Sequence, residues 1–136
     1  MAENLNYEAK GSKCYKNATE NCDKYGRLYD WYMAMMACPS GWHLSSGKEF
    51  GVLKDAAEYL KANSDDWNRS GKGTDAYGFS ALPGGYCLPS GNYFDYIGSR
   101  GYWWTSDNIG GDYTYHQRME FNSTTVILVG IEKNTF

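Results

Sequence analysis

The spacing of hydrophobic positions changes partway along this chain, from a helical period in the first half to an alternating one in the second. Tyr29 to Met36 is a short apolar run, rich in helix formers apart from its rings. It predicts a brief helix stopped at Cys38-Pro39-Ser40-Gly41, where proline and glycine end it. Ser46 and Glu49 then have the spacing of a capping box. Phe50, Leu53, Ala57 and Leu60 follow on one helical face, predicting a single helix that fades near Asn63, ahead of Asp65 and Asp66. Before these elements, Met1 to Tyr25 reads as a strand and a loop closed by cysteines.

The second half reads as short strands and glycine turns. Tyr77 to Leu82 is one expected strand, ended by Pro83-Gly84-Gly85, and Gly101 to Ser106 is another. Tyr113 to Phe121 alternates. Tyr113, Tyr115, Gln117, Met119 and Phe121 fall on a face expected to be buried, and Thr114, His116, Arg118 and Glu120 on a face expected to be wet. After a turn at Asn122-Ser123-Thr124, Thr125 to Ile131 is nearly continuous in apolar residues, which predicts a strand buried on both faces. Helices first and antiparallel strands later define an α+β fold. With no repeat, linker or low-complexity tract, residues 1–136 read as one domain.

Composition sharpens the picture in one direction. The chain holds 13 Tyr, 5 Trp and 16 Gly but 3 Pro, so its core is expected to be built largely of rings joined by glycine turns. Thirteen basic residues against 16 acidic give a net charge of −3, with no basic stripe to neutralise phosphates, so a nucleic-acid partner is not expected. No apolar run approaches the length of about 20 residues that spans a bilayer, so no membrane insertion is expected. The chain also opens without the pattern of a signal peptide, so an export signal would have to lie outside it.

The four cysteines, Cys14, Cys22, Cys38 and Cys87, contain no Cys-x-x-Cys pair, and only His43 and His116 could add nitrogen ligands. Disulfides in an oxidising compartment explain them better than zinc. Cys14 with Cys22 is the local pairing, which leaves Cys38 and Cys87 either bonded to each other or free. His43 is expected to pack with a hydrogen bond and His116 to be an ordinary surface residue. No cofactor is expected: oxygen-rich turns at Asp65-Asp66-Asn68, Asn92 with Asp95, and Asp107-Asn108-Asp112 make calcium the one to consider, but solvated turn carboxylates explain them better. The segment Tyr86 to Arg100 is long, polar and expected to be exposed. Its Tyr93, Phe94, Tyr96 and Arg100 have the composition of a recognition surface, rigid amphipathic rings beside adaptable polar groups. Asp107, Asn108 and Tyr113 extend that composition in a second loop.

Five blocks carry a family resemblance: Met1 to Tyr7 (MAENLNY), Asn21 to Trp31 (NCDKYGRLYDW), Cys38 to Leu44 (CPSGWHL), Gly73 to Gly85 (GTDAYGFSALPGG) and Gly101 to Ser106 (GYWWTS). In this order they resemble the domain named for the major paralogous family of Fibrobacter succinogenes. That family is similar to the formylglycine-generating-enzyme branch of the C-type-lectin-like fold. The resemblance implies two helices around a twisted, mostly antiparallel, loop-rich sheet, in secreted or surface-anchored bacterial proteins. The family usually adds a strand before the first block and a last strand ending in cysteine. This chain is therefore expected to be trimmed at both ends or a divergent member, which leaves Cys38 free or paired with Cys87.

The resemblance also bears on activity. The formylglycine-generating relatives depend on a reactive cysteine pair late in the chain, and no cysteine follows Cys87 here. No nucleophile-elbow pattern is present either, so catalysis is not expected. The Glu-Pro-Asn and Trp-Asn-Asp signatures of calcium-dependent sugar-binding lectins are absent, Trp67-Asn68 being followed by Arg69. The expected function is a non-catalytic binding module, secreted or on the cell surface as part of a longer exported protein. It would recognise a protein or glycan through Tyr93, Phe94, Tyr96, Arg100, Asp107, Asn108 and Tyr113. The alternatives are a structural or assembly domain of a larger surface protein and a hypervariable ligand-display domain.

Overall fold

The β-branched and aromatic residues between Arg100 and Glu132 form three antiparallel strands, as their preference for a half-covered pleated surface requires. A computed structural model describes residues 3–136. In it, β1 (Gly84–Cys87) pairs with β2 (Phe94–Ile97), while β3 (Arg100–Gly110), β4 (Tyr113–Glu120) and β5 (Ile127–Glu132) form a second sheet in the order β3-β4-β5. The helices are α1 (Thr19–Tyr25), α2 (Trp31–Ala37), α3 (Gly47–Gly51) and α4 (Ala57–Leu60). The α+β class holds. The elements are four short α-helices and two antiparallel sheets among the described residues, where two helices on one sheet were expected.

Register explains what the larger sheet shows on each face. Tyr102 lies opposite Arg118 and Trp104 opposite His116, so these four share a face, while Trp103, Gln117 and Met119 share the other. Met119 is fully buried against Ala57, Leu60, Trp67, Ala81 and Val126, with Trp103 and Phe121 packed around them. The opposite face was expected to be wet and is largely covered. Trp104 packs with Tyr29, Ala34 and Ala37, and Thr114 and His116 are buried. β5, expected to be buried on both sides, is an edge strand whose residues alternate between half-buried and exposed.

The capping box forms as expected, with the Ser46 hydroxyl accepting from Glu49 N and the Glu49 carboxylate accepting from Ser46 N at 2.7 Å. That amide, followed by His43, holds the Glu49 carboxyl down at about 2. The helix beyond it breaks into α3 and α4. Ala57 N donates to Thr124 O (3.1 Å) and Val126 N to Lys54 O (2.7 Å). These are groups that a continuous helix would use internally, so the chain leading into β5 takes the hydrogen bonds of the missing turn. In α2 the side chain of Asp30 caps Met33 N at 2.8 Å.

Two other expectations are corrected. The amino-terminal region holds a 3-10 turn (Tyr15–Asn17) and α1 where a strand and loop were expected; Met1 and Ala2 lie outside the described residues. Tyr77 to Leu82 is not a strand. The Asp75 carboxylate takes Ser80 N (2.7 Å) and the Ser80 hydroxyl (2.6 Å), folding this stretch into a turn, and only Ala81 bridges to Lys61. The strand starts at Gly84, inside the expected terminator.

Cys14 and Cys22 form a disulfide across the 3-10 turn and α1, whereas Cys38 and Cys87 are free. Closing so short a loop is worth about 2–3 kcal/mol through the unfolded chain. Replacing both cysteines by serine should lower stability by that amount in urea unfolding, with the far-ultraviolet dichroism of the folded state retained.

Candidate functional site

A row of rings runs from the small sheet across the covered face of the large one. Tyr96 stacks on Tyr86 with centroids 5.7 Å apart, and Tyr86 meets Tyr102 edge-on at 5.6 Å. Tyr102 meets His116 at 5.2 Å, and His116 meets Trp104 at 6.1 Å, both edge-on. Strand pairing sets this order, because Tyr102, Trp104 and His116 project from one face of β3 and β4 while β1 lies against β3. Trp104 is fixed by its indole N–H, which donates to Tyr29 O at 2.8 Å. Between the sheets the rings line a cleft of about 70 Å³, with Tyr29, Tyr86, Tyr102, Trp104 and His116 on its walls and Arg27, Leu28, Gly85, Ile131, Thr135 and Phe136 completing it.

The row ends in a charged cluster. Arg100 lies 3.9 Å from the Tyr96 ring centroid and pairs with Glu120 at 3.1 Å, to which Arg118 also pairs at 3.0 Å. Tyr96 holds a left-handed backbone (φ +65°) inside β2, a conformation that costs about 1–2 kcal/mol for a residue with a side chain. The Tyr86 stack and the Arg100 guanidinium act on the same ring and offset that strain.

Burial tunes the groups in the cleft toward neutrality. His116 is 4% exposed, and its Nε2 has no hydrogen-bond partner. Burial first, and the Arg118 charge second, push its pKa from 6.5 down to about 4, so the imidazole is neutral at pH 7. Burial also pushes Tyr102 up to about 12 and raises Tyr86, so both phenols stay protonated. The His116 shift has a consequence for stability. The unfolded chain takes up the imidazole proton near pH 6.5 and the folded one only near pH 4. Stability is therefore full above 6.5 and falls as pH drops toward 4, by on the order of 3 kcal/mol in all. His116→Gln should flatten the slope of unfolding free energy against pH in that window, and an unchanged slope would contradict the assignment.

The residues singled out in sequence scatter over this architecture. Tyr96 and Arg100 belong to the ring row. Phe94 packs edge-on against Tyr15 at 5.3 Å, as part of the support for the hairpin. Tyr93 is exposed, its hydroxyl on Asp95 at 3.1 Å. The segment Tyr86 to Arg100, expected to be an exposed loop, is the β1–β2 hairpin with most of its rings packed down. Asp107, Asn108 and Tyr113 sit at the far end of the β3–β4 hairpin. At about 3.3 Å per residue this is roughly 20 Å along β3 from Arg100, so the structure does not join the two groups.

Most of the acidic residues considered for calcium already have partners for their side chains. Asp65 pairs with Lys72, Asp66 with Lys24, and Asp107 accepts from Gly47 N at 2.6 Å. Asn108 accepts from Lys133 at 2.8 Å, and Asp95 from Tyr96 N at 2.7 Å. Among the described residues no three His, Cys, Asp or Glu side chains gather to hold a metal. His43, expected to pack, is exposed and bonded to Glu49 at 3.0 Å; His116, expected at the surface, is buried. The rings missed in sequence were Tyr86, Tyr102 and Trp104. The alternation of Arg100, Tyr102 and Trp104, carried across to His116 and Arg118, was the signal that could have found them.

The amino-acid sequence is matched over residues 1–133 by a family model, the Fibrobacter succinogenes major domain. The chain belongs to that family. No curated protein and no solved structure matches it. Among the described residues no helix is long and apolar enough to cross a membrane.

Proposed function

We propose that this domain is a non-catalytic binding module, secreted or displayed at a cell surface within a longer exported protein, that recognises a glycan or protein through the aromatic cleft. The observation that carries the reading is the row of half-buried tyrosine and tryptophan rings, Tyr86, Tyr102 and Trp104, lining a concave surface. Concave, mostly apolar sites with a few convergent polar groups are where ligands bind. Rings that carry a polar tip suit recognition, because they bury area while losing few rotors. The Cys14–Cys22 disulfide supports an oxidising compartment.

Several features favour binding over catalysis. Burial raises the pKa of the Cys87 thiol, which disfavours the reactive thiolate. Among the described residues, neither histidine is hydrogen-bonded to a serine, threonine or cysteine side chain. A C-type-lectin-like reading of the fold agrees with a recognition role. The second reading, an assembly domain, is favoured by exposed Tyr32, Met36 and Trp42 in and just after α2. Retention of the oxidised domain on arrays of bacterial and plant polysaccharides, and of surface proteins, decides between them. Saturable retention by one class is expected. Retention by none, together with concentration-dependent self-association, would replace binding with assembly.

A further inference from the structure

β5 is an open edge of the large sheet: among the described residues no strand pairs with its outer side. Antiparallel pairing sets which groups point there. Lys133 N donates to Asp112 O at 2.8 Å, in line with the register that pairs Ile131 with Thr114 and Val129 with His116. Alternation then turns the N–H and C=O groups of Leu128 and Gly130 away from β4, as Val126 N is turned in donating to Lys54 O at 2.7 Å. Among the described residues no group outside the sheet bonds to these backbone atoms of Leu128 or Gly130. Edge strands of soluble proteins are blunted by proline, lysine, a bulge or a cover. Ile127 to Ile131 carries no proline and no charge, and its register against β4 runs without a shift. Leu128, Gly130 and Glu132 are exposed.

We propose that two copies of this chain pair through their β5 strands, antiparallel across a twofold axis at Gly130, so that the two large sheets become one. Register and charge argue for a second copy as the occupant of the edge. A twofold axis perpendicular to the sheet opposes residues whose side chains share a face. Centring it on Val129 would set Glu132 of the second copy opposite Val126, a place that Lys54 already occupies. Centring it on Gly130 sets Leu128 opposite Glu132, so outward backbone groups meet outward groups. The second copy then turns away at Lys133 and Asn134 before it reaches Lys54. Val129 faces Ile131, one β-branched residue against another. Glu132 of the second copy arrives beside Leu128, which lines a shallow cavity together with Lys54. Neither Glu132 nor Lys54 has an ion-pair partner among the described residues, and the pairing brings these opposite charges together at both ends of the interface. The proposal does not depend on what the ring-lined cleft binds, and the axis leaves both clefts on one side of the joined sheet.

The test is sedimentation velocity of the oxidised chain from micromolar to millimolar concentration, beside amide hydrogen exchange read residue by residue. A monomer–dimer equilibrium is expected. The Leu128 and Gly130 amides should exchange on the order of tenfold more slowly in the dimer, while those of Val129 and Ile131, bonded to β4, are protected throughout. Gly130→Lys should abolish the dimer and keep the fold. A Cβ there meets nothing closer than Ile109 and Tyr115 at 3.9 Å, and the two ammonium groups would face each other at the axis. Glu132→Lys should weaken the dimer on the order of tenfold, and adding Lys54→Glu should restore it. Should a variant not fold, exchange in the wild-type chain carries the test. A chain that stays monomeric at millimolar concentration would overturn the proposal, as would a dimer whose Leu128 and Gly130 amides exchange at the monomer's rate. A dimer that Trp42→Ser dissolves and Gly130→Lys leaves intact would overturn it too, moving the interface to the exposed side chains of and after α2. Ligand retention, measured separately, tests the cleft.

Discussion

Trp67→Ala is expected to lose about 3–5 kcal/mol of folding stability, the largest effect of any single side-chain truncation here. Trp67 is 1% exposed and packs beside Leu60, Ala81 and Met119, so it joins α4 to the large sheet. Its indole N–H donates to Ala81 O at 3.0 Å, and the Lys61 ammonium lies 5.3 Å from its ring centroid. Truncation opens a cavity and exposes a buried ammonium, itself held by Glu120 O and Ser123 O, to the loss of its ring. Against a typical total of about 5–15 kcal/mol, much of the domain's stability would go. Urea unfolding of the two proteins measures it, and a loss under about 1 kcal/mol would mean that the core is organised around another residue.

Gly85→Ala should cost more than about 2 kcal/mol and disable the cleft at the same time. Gly85 has φ +69°, where any side chain is strained by about 1–2 kcal/mol. A Cβ there would also lie 2.4 Å from Asp95 O and 2.8 Å from Ile97 N, both backbone atoms of the facing strand. The hairpin must shift to admit it, and overpacking of this kind adds about 1–3 kcal/mol. Because Gly85 lines the cleft and precedes Tyr86, the shift moves the Tyr86–Tyr96 stack. Thermal unfolding with near-ultraviolet dichroism follows both effects. A native tyrosine signal with an unchanged midpoint would contradict this reading of the hairpin.

What the sequence made legible were features settled by neighbours along the chain. The Ser46–Glu49 box needs only a three-residue spacing, and the Cys14–Cys22 bond only a short loop. The length of the helix after Ser46 was not legible. Its missing turn gives up hydrogen bonds to Thr124 and Val126, some 70 residues away, and no local period encodes that. The same holds for His116. Alternation placed it opposite Gln117 and Met119, and only the docking of α2 and the β1–β2 hairpin on that side buried it.

The candidate site was half visible for a related reason. Tyr96 and Arg100 stood out because they lie in a polar, glycine-rich stretch where rings are conspicuous. Tyr102 and Trp104 lie in a block that reads as core, and they become cleft walls because β1 and Tyr29, distant in sequence, pack beside them. Asp107, Asn108 and Tyr113 drew notice by composition alone, and the hydrogen bonds of Asp107 and Asn108 to Gly47 and Lys133 support the fold of that hairpin.

The measurement that tests the account most directly compares two double variants for retention on the same ligand arrays, each checked by thermal unfolding. Tyr86→Ala with Tyr102→Ala alters the cleft, and Tyr93→Ala with Tyr113→Ala alters exposed rings outside it. The account predicts that the first loses retention while remaining folded and that the second retains wild-type binding. Loss of retention in the second with the first unaffected would move recognition to the loop tips and contradict a site in the cleft.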